Sequence, residues 1–382
     1  MKDIAIIVLS AGVISAESFV IALGALLSLW VFLVNGRSIN SNGPEWKYCY
    51  IIPCVVFFGV LILVSIFNNN YAGVKEVIKW LDRLIPACLL LFFYKDTEDI
   101  FKPLFIGTVG GAMYVSGTVI CEYLHTGVRN GGCYGNPNNF GGLVIFILPF
   151  ILLTGYRLFR KNKIGVLVSV ISGFVLLLCF FIASSRGAMI GLLAEAVIFL
   201  GIVNRKHINW KVLLGIAIAG ACAATILLKM QRSYDMQRWY GWMSSWNMFC
   251  DNPLLGIGLK NFGKTYMNDY MLSGAYEKLQ HPHNIFLFYL AETGMAGFAA
   301  YVYMIYKHFI TSFRRFVTST RINSWRNDYL LCFVAVLGGM LVHGMVDVVC
   351  NNRDMMTIYF YAAAIAAKAC VWLEKEGVRE SD

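Results

Sequence analysis

Apolar runs long enough to cross a membrane recur along the whole 382-residue chain, and nothing else in the sequence limits its fold so strongly. A bilayer core about 30 Å thick takes roughly 20 apolar residues as a helix. Inside it every backbone N–H and C=O must find its partner within the protein. Composition points the same way: the chain is 58% hydrophobic and 14% charged, with a mean hydropathy of +0.63. A soluble domain carries about 25% charged residues. The expected fold class is all-α: a polytopic membrane protein forming a single integral membrane domain over residues 1–382.

The stretch 4–35 is too long for one straight span, and Glu17 with Ser18 marks a break within it. Two short helices there bring the count to about 12 transmembrane helices: 3–16, 18–35, 49–66, 76–94, 102–123, 140–156, 164–183, 187–203, 212–229, 284–306, 329–349 and 355–373. The N-terminus has no small-residue cleavage site after a short apolar core, so its first helix is read as retained.

The net charge of +10 sits mainly in short basic connections: RLFRKNK (157–163), NRKHINWK (204–211) and KHFITSFRRFVTSTR (307–321). That is the positive-inside pattern, not a nucleic-acid surface. It places those loops in the cytoplasm and leaves SSRGA (184–188), HTGVRNGGCYGNPNN (125–139) and the long segment 230–283 outside. That segment, rich in Trp, Tyr and Met and then punctuated by Gly and Pro, is expected to be an exterior subdomain of short helices over the membrane mouth. The 11 cysteines form no CxxC pair and mostly lie within apolar runs, as small fillers do. Cys133 and Cys250 fall in exterior loops, and nothing in the sequence supports pairing them.

Several polar residues then stand out against this background. Arg186 sits in the tight SSRGA hairpin among small residues and faces outside, against the charge rule. It reads either as an interfacial snorkelling arginine or as a planar fork for phosphate. Arg238, next to Trp239 in MQRWYGW, reads either as a cation–π loop contact or as a second such donor. His283 and Asn284 open the span 284–306. His283 is a helix cap or a chemical group, with Leu287, Leu290, Gly294 and Gly297 continuing its helical face. Two glycines on that face would let a neighbouring helix pack closely. His281 reads as a loop residue. His343 and Asp347 lie four apart near the outer end of 329–349, at the level of His283. An aspartate there is suited to orient an imidazole acting as general base. Glu195 and Glu292 lie inside spans and are expected to pair structurally within the bundle. No HExxH or P-loop is present, and the exterior segments hold no DxD-type carboxylate pair. Group transfer at the outer surface must therefore use a donor already activated in the membrane, and a lipid-linked diphosphate fits.

Four stretches together resemble one family. HNIFLFYLAETGMAG (283–297) has His-Asn, nine residues, then Gly-x-x-Gly. RWYGWMSSWNMFCDNPLLGIGLKNFG (238–263) has an Arg, a Trp-containing helix, then Pro-x-x-Gly-x-Gly and an aromatic. SSRGA is an exterior arginine hairpin, and YGNPNNFGG (134–142) is an Asn/Pro-rich loop before a membrane helix. In this order they resemble the O-antigen ligase/polymerase superfamily, which acts on undecaprenyl-diphosphate-linked glycans. The motifs cover residues 130–310; beyond these the likeness is one of topology.

The resemblance implies a GT-C-type glycosyltransferase membrane fold in a bacterial cytoplasmic (inner) membrane, with the active site on its outer face. It implies inverting transfer that needs neither metal nor cofactor. His283 matches the base, Arg186 and Arg238 match the diphosphate-binding arginines, and Asp347 matches by position near the end of a late span. Asn284, His281, His343, Asn138 and Trp239 stand as acceptor or supporting residues. The partners implied are an undecaprenyl-diphosphate-linked glycan donor, a glycan or lipid-linked acceptor, membrane lipid, a flippase and a chain-length regulator. The short exterior loop favours a polymerase over a ligase acting on lipid A core. The rival from another class is a proton-coupled transporter or flippase relaying through Glu195 and Glu292. Transporters, however, place such groups near the midplane of repeated halves, and no repeat occurs here.

Overall fold

The structure is a computed structural model describing residues 1–34, 45–94, 100–159, 162–203, 235–318, 325–348 and 351–379. Its regular elements are all helical. The described residues hold six helices long and apolar enough to cross a membrane: Cys49–Phe67, Phe101–Thr126, Pro137–Arg157, Lys163–Ala183, Ile285–Thr318 and Arg326–Gly344. The chain is thus a multi-pass all-α membrane protein. The expected span 212–229 and the basic loop 204–211 lie outside the described residues.

Helices α1 (Lys2–Ser15) and α2 (Ser18–Val34) are two elements, joined at Ala16, whose φ of 59° ends α1 in the left-handed region. Helix α3 (Glu45–Phe67) follows. The expected span 76–94 is instead divided into α4 (Tyr71–Leu81), a 3-10 turn Asp82–Leu84 and α5 (Ile85–Phe93). Polar Lys75, Glu76 and Lys79 make α4 a surface helix with one apolar face. Pro86, lacking an N–H, is tolerated only at the start of a new helix.

Helix α6 (Phe101–Thr126) packs on α1 through Gly107 and Gly111. A Cβ on Gly107 would lie 2.5 Å from the Ile7 carbonyl oxygen, and one on Gly111 2.8 Å from that of Ala11. This is small-residue packing at four-residue spacing, which brings two backbones together in lipid where apolar burial provides no drive. Helix α7 (Pro137–Pro149) passes through a π turn, Phe150–Thr154, into α8 (Gly155–Phe159). Helices α9 (Lys163–Ala183) and α10 (Arg186–Val203) form a hairpin turned by Ser184 at φ 50°.

The segment after residue 234 holds α11 (Asp235–Asp251), the short α12 (Phe262–Thr265) and a strap leading to α13 (Ile285–Thr318). Helices α14 (Trp325–Gly344) and α15 (Arg353–Arg379) complete the bundle. Helix α14 meets α10 at a glycine pair: a Cβ on Gly191 would sit 2.8 Å from the Gly339 oxygen, and one on Gly339 2.7 Å from that of Gly191.

Helix α13 is broken at Gly294 (φ 61°, ψ −164°), and the loop 253–258 fills the break. In an unbroken helix Met295 N and Ala296 N would donate to the carbonyls of Ala291 and Glu292. Here those carbonyls accept from Ile257 N (2.9 Å) and Gly258 N (2.9 Å). Met295 N and Ala296 N donate instead to Pro253 O (2.8 Å) and Leu254 O (3.2 Å). These four groups, freed by the kink, are thereby paired again, as membrane depth demands. What packs on Gly294 is therefore loop backbone and not the neighbouring helix the sequence suggested. The Glu292 carboxylate completes the clasp, accepting from Lys260 N (2.8 Å) and Phe262 N (3.0 Å). Asn68 and Asn70, after α3, donate to the carbonyls of Leu255 (2.9 Å) and Leu259 (2.7 Å).

Candidate active site

Asp347 is the hub of the polar cluster. It lies just beyond the end of α14 and is buried. His283 Nδ1 stands 3.1 Å from its Oδ1, which also accepts from Val348 N at 2.8 Å. Asn138 Nδ2 donates to Oδ2, and Ser185 Oγ donates to Asn138 Oδ1 at 2.8 Å. Arg238 Nη2 is 4.0 Å from Oδ2, while its Nη1 donates to Val346 O at 2.9 Å. Four parts of the chain, at the starts of α7 and α13, near the start of α11 and after α14, therefore converge on one carboxylate. Burial by itself would raise the pKa of Asp347. The hydrogen bond from His283, with the charges of His283, Arg238 and His343, outweighs it and holds the carboxyl well below its usual range.

His283 lies just outside α13, not on its face. Asn284 is the cap: its Oδ1 accepts from Phe286 N (2.9 Å) and Leu287 N (3.0 Å). The side-chain amide of Asn284 donates to Met345 O (2.9 Å), tying the start of α13 to the connection that carries Asp347. The helical stripe drawn from His283 through Leu287, Leu290 and Gly294 therefore does not exist. The histidine precedes the helix, at φ 52°. A non-glycine residue there stores about 1–2 kcal/mol of strain, a cost that persists at functional positions when the surroundings fix it. If Nδ1 carries the proton given to Asp347, the basic lone pair is on Nε2.

The other expected residues are placed differently. His281 stacks edge-on against His283, with ring centroids 4.4 Å apart. His343 does not pair with the Asp347 carboxylate through its ring. Its carbonyl accepts from Asp347 N (3.1 Å), while its imidazole packs on Gly187, whose added Cβ would lie 3.0 Å from His343 Cδ2. The four-residue spacing failed because α14 ends at Gly344, before Asp347. Trp239 is outside the cluster; it faces away and meets Trp242 edge-on. Arg186 opens α10 and is clamped by both oxygens of Asp235, one contact being 3.0 Å. That aspartate escaped notice in the sequence although it lies only three residues before Arg238, and Ser185 was read only as one of the small residues around Arg186. The Glu195 oxygens have no hydrogen-bond partner among the described residues. They adjoin an apolar cavity of about 490 Å³ lined by Leu148, Leu152, Leu192 and Phe199, and the expected pairing is not found among the described residues.

His281, His283 and Asp347 bring their ligand atoms within 4.8 Å of one another, a spacing a divalent cation can use. Both Asp347 oxygens, however, already accept from His283, Val348 and Asn138, and the Arg238 guanidinium stands beside them. The donor set suits an oriented imidazole better than a cation.

Burial, with His283 adding to it and Asp347 opposing, lowers the His281 pKa from 6.5 to about 4. The folded protein holds this ring neutral where the unfolded chain would protonate it. Its contribution to stability is whole above pH 6.5 and is lost as pH falls towards about 4. Unfolding temperature should accordingly drop with acidification across that window, and His281→Gln should flatten the drop. A variant with the wild-type slope would rule His281 out as the source.

Residues 171–302 match the family model described as O-antigen ligase. The match covers Arg186, Arg238, His283 and the whole clasp at Gly294, and leaves Asn138 and Asp347 to either side. No curated protein matches the chain. Over residues 171–302, about a third of the chain and including membrane-spanning helices, the protein is thus similar to the O-antigen ligase family, which supports the superfamily resemblance.

Proposed function

We propose that the protein is an inverting glycosyltransferase that polymerises undecaprenyl-diphosphate-linked repeat units on the outer face of the cytoplasmic membrane. The observation that carries this reading is the buried Asp347 carboxylate 3.1 Å from His283, with Arg238 beside it. In the proposed step an acceptor hydroxyl gives its proton to His283 Nε2. Its oxygen bonds to the anomeric carbon, and the carbon–oxygen bond to the diphosphate breaks. Asp347 stabilises the imidazolium, while Arg238 and Arg186 stabilise charge gathering on the departing lipid diphosphate. Arg186 reaches that state by exchanging part of its Asp235 contact for phosphate. The metal-independent character follows from the same assignment, since no step uses a cation.

The test is reconstituted protein with a purified lipid-linked repeat unit, assayed in the presence of chelator. A ladder of products supports a polymerase; a single product on another acceptor supports the ligase; no product overturns both. Arg186→Lys keeps the charge but loses the two-pronged fork, and is expected to cost about 1–3 kcal/mol of transition-state binding, or roughly 5–150-fold in kcat/KM. Wild-type kinetics in that variant would remove Arg186 from diphosphate recognition. The transporter reading invokes Glu195 and Glu292; Glu195 is buried with no hydrogen-bond partner among the described residues, while Glu292 is held by the clasp. That reading gains only if Glu195→Gln stops activity while His283 variants do not.

A further inference from the structure

Helix α11 turns its apolar side away from the protein. Successive residues lie about 100° apart around a helix. On that count Gln237, Gly241, Ser244, Ser245 and Met248 fall on one side, and these are its buried residues. Met236, Trp239, Met243 and Trp246 fall on the other, and are 56, 53, 43 and 52% exposed. Met248 apart, small and polar side chains face inward while the exposed large apolar ones face outward, the reverse of a helix in water. Leu254, 73% exposed, continues the same line past the end of the helix.

The far end of this stripe can be assigned a depth. Pro253 and Leu254 bond to Met295 and Ala296 at the break in α13. Gly294 is nine residues beyond Ile285, about 14 Å along the helix axis. The apolar part of α13 runs on to Tyr306 before meeting Lys307, a length matching a bilayer core of about 30 Å. The break therefore lies within the leaflet on the His283 side. Met295, beside it, is itself exposed on the span. Helix α11 starts near Asp347, through Arg238, and leads down to that depth, where its stripe joins the lipid-facing surface of α13. Tryptophan gathers at the membrane–water interface from which α11 descends, and interfacial helices bury an apolar face among acyl chains.

We infer that the Met236–Trp239–Met243–Trp246 face of α11 is embedded in the acyl chains of the leaflet on the His283 side. The segment read from sequence as an exterior subdomain over the membrane mouth thus contains a membrane-embedded helix. The occupant is phospholipid acyl chain. A sugar ring would match the two tryptophans but leave the two methionines and Leu254 facing water. A lipid-anchored substrate would then meet Arg238 from within the leaflet, on the helix that carries it. The inference depends on the membrane bundle and stands apart from the proposed reaction.

The experiment reconstitutes the full chain in vesicles of equimolar phosphatidylethanolamine and phosphatidylglycerol, with photoreactive benzoylphenylalanine replacing Met243. Phe174 on α9 and Tyr276 on the strap, both exposed, serve as membrane and water references. The expected phospholipid adduct at 243 equals that at 174 and exceeds that at 276 by roughly tenfold. A yield at 243 matching that at 276, or a crosslink within the chain in place of lipid, overturns the inference. A second readout needs no foreign side chain. With acyl chains brominated at mid-chain, tryptophan quenching should fall in the Trp239→Phe, Trp246→Phe double variant, and undiminished quenching overturns it too.

Discussion

Replacing His283 by Asn is expected to lower the proposed glycosyl transfer by about 10²–10⁴-fold, the usual contribution of a positioned general base. Asparagine is the better choice over alanine because position 283 has φ 52°, which Asn tolerates and Ala does not. The fold should therefore survive, and an unchanged unfolding temperature would verify that. Asp347→Asn should weaken turnover with little change in KM. An amide can hold the ring but cannot stabilise the imidazolium by charge. The same substitution also disturbs Asn138 and Arg238, which share the carboxylate, so its unfolding temperature must be read beside its kinetics. Activity within tenfold of wild type in His283→Asn would sink the catalytic assignment.

The second large effect is structural. Gly294→Ala places a Cβ 2.4 Å from the carbonyl carbon and oxygen of Leu254, at a φ of 61° that disfavours any side chain. The loop 253–258 cannot then stay seated, and the four backbone hydrogen bonds that bridge the break are lost. With about 1–2 kcal/mol of backbone strain and roughly 1 kcal/mol for each of the four bonds, the expected destabilisation is about 5–6 kcal/mol. Thermal unfolding in detergent measures it, and protease cleavage between 251 and 262 should rise in step. Gly110→Ala is the control, since a Cβ there meets nothing within 4 Å. If the two variants unfold alike, the clasp contributes nothing to stability. Because Arg238 lies on the element this loop secures, Gly294→Ala should also impair activity without touching the cluster directly.

The all-α membrane class was open to sequence reading because hydrophobic length is a property of the chain itself. The break between α1 and α2 was equally readable, since Glu17 interrupts the apolar run. The interval 76–94 misled because its apolar content is that of a span. Only Pro86 and the charges at 75–83 betrayed its division, and only contacts with α3 and α15 fix where each piece goes. At the site, His283 and Asp347 were singled out as residue types at the expected membrane level. The expected His343–Asp347 face was not formed, because it assumed a helix that in fact ends at Gly344. Asp235, the clamp on Arg186, gave no signal in a segment where a single carboxylate is unremarkable.

What the sequence determined by itself was therefore whatever depends on runs and local spacing: membrane helices, a polar cluster at one end, and Gly-x-x-Gly after His-Asn. What only the tertiary structure decided was pairing between distant segments. Asp347 serves His283, 64 residues away, and Glu292 serves the loop at Lys260 and Phe262. Gly294 admits a loop where a helix was expected. The physical reason is that a buried hydrogen-bonding group must be satisfied by whatever the fold brings to it. The chain can show that such a group exists, but its partner is fixed only when the helices have packed.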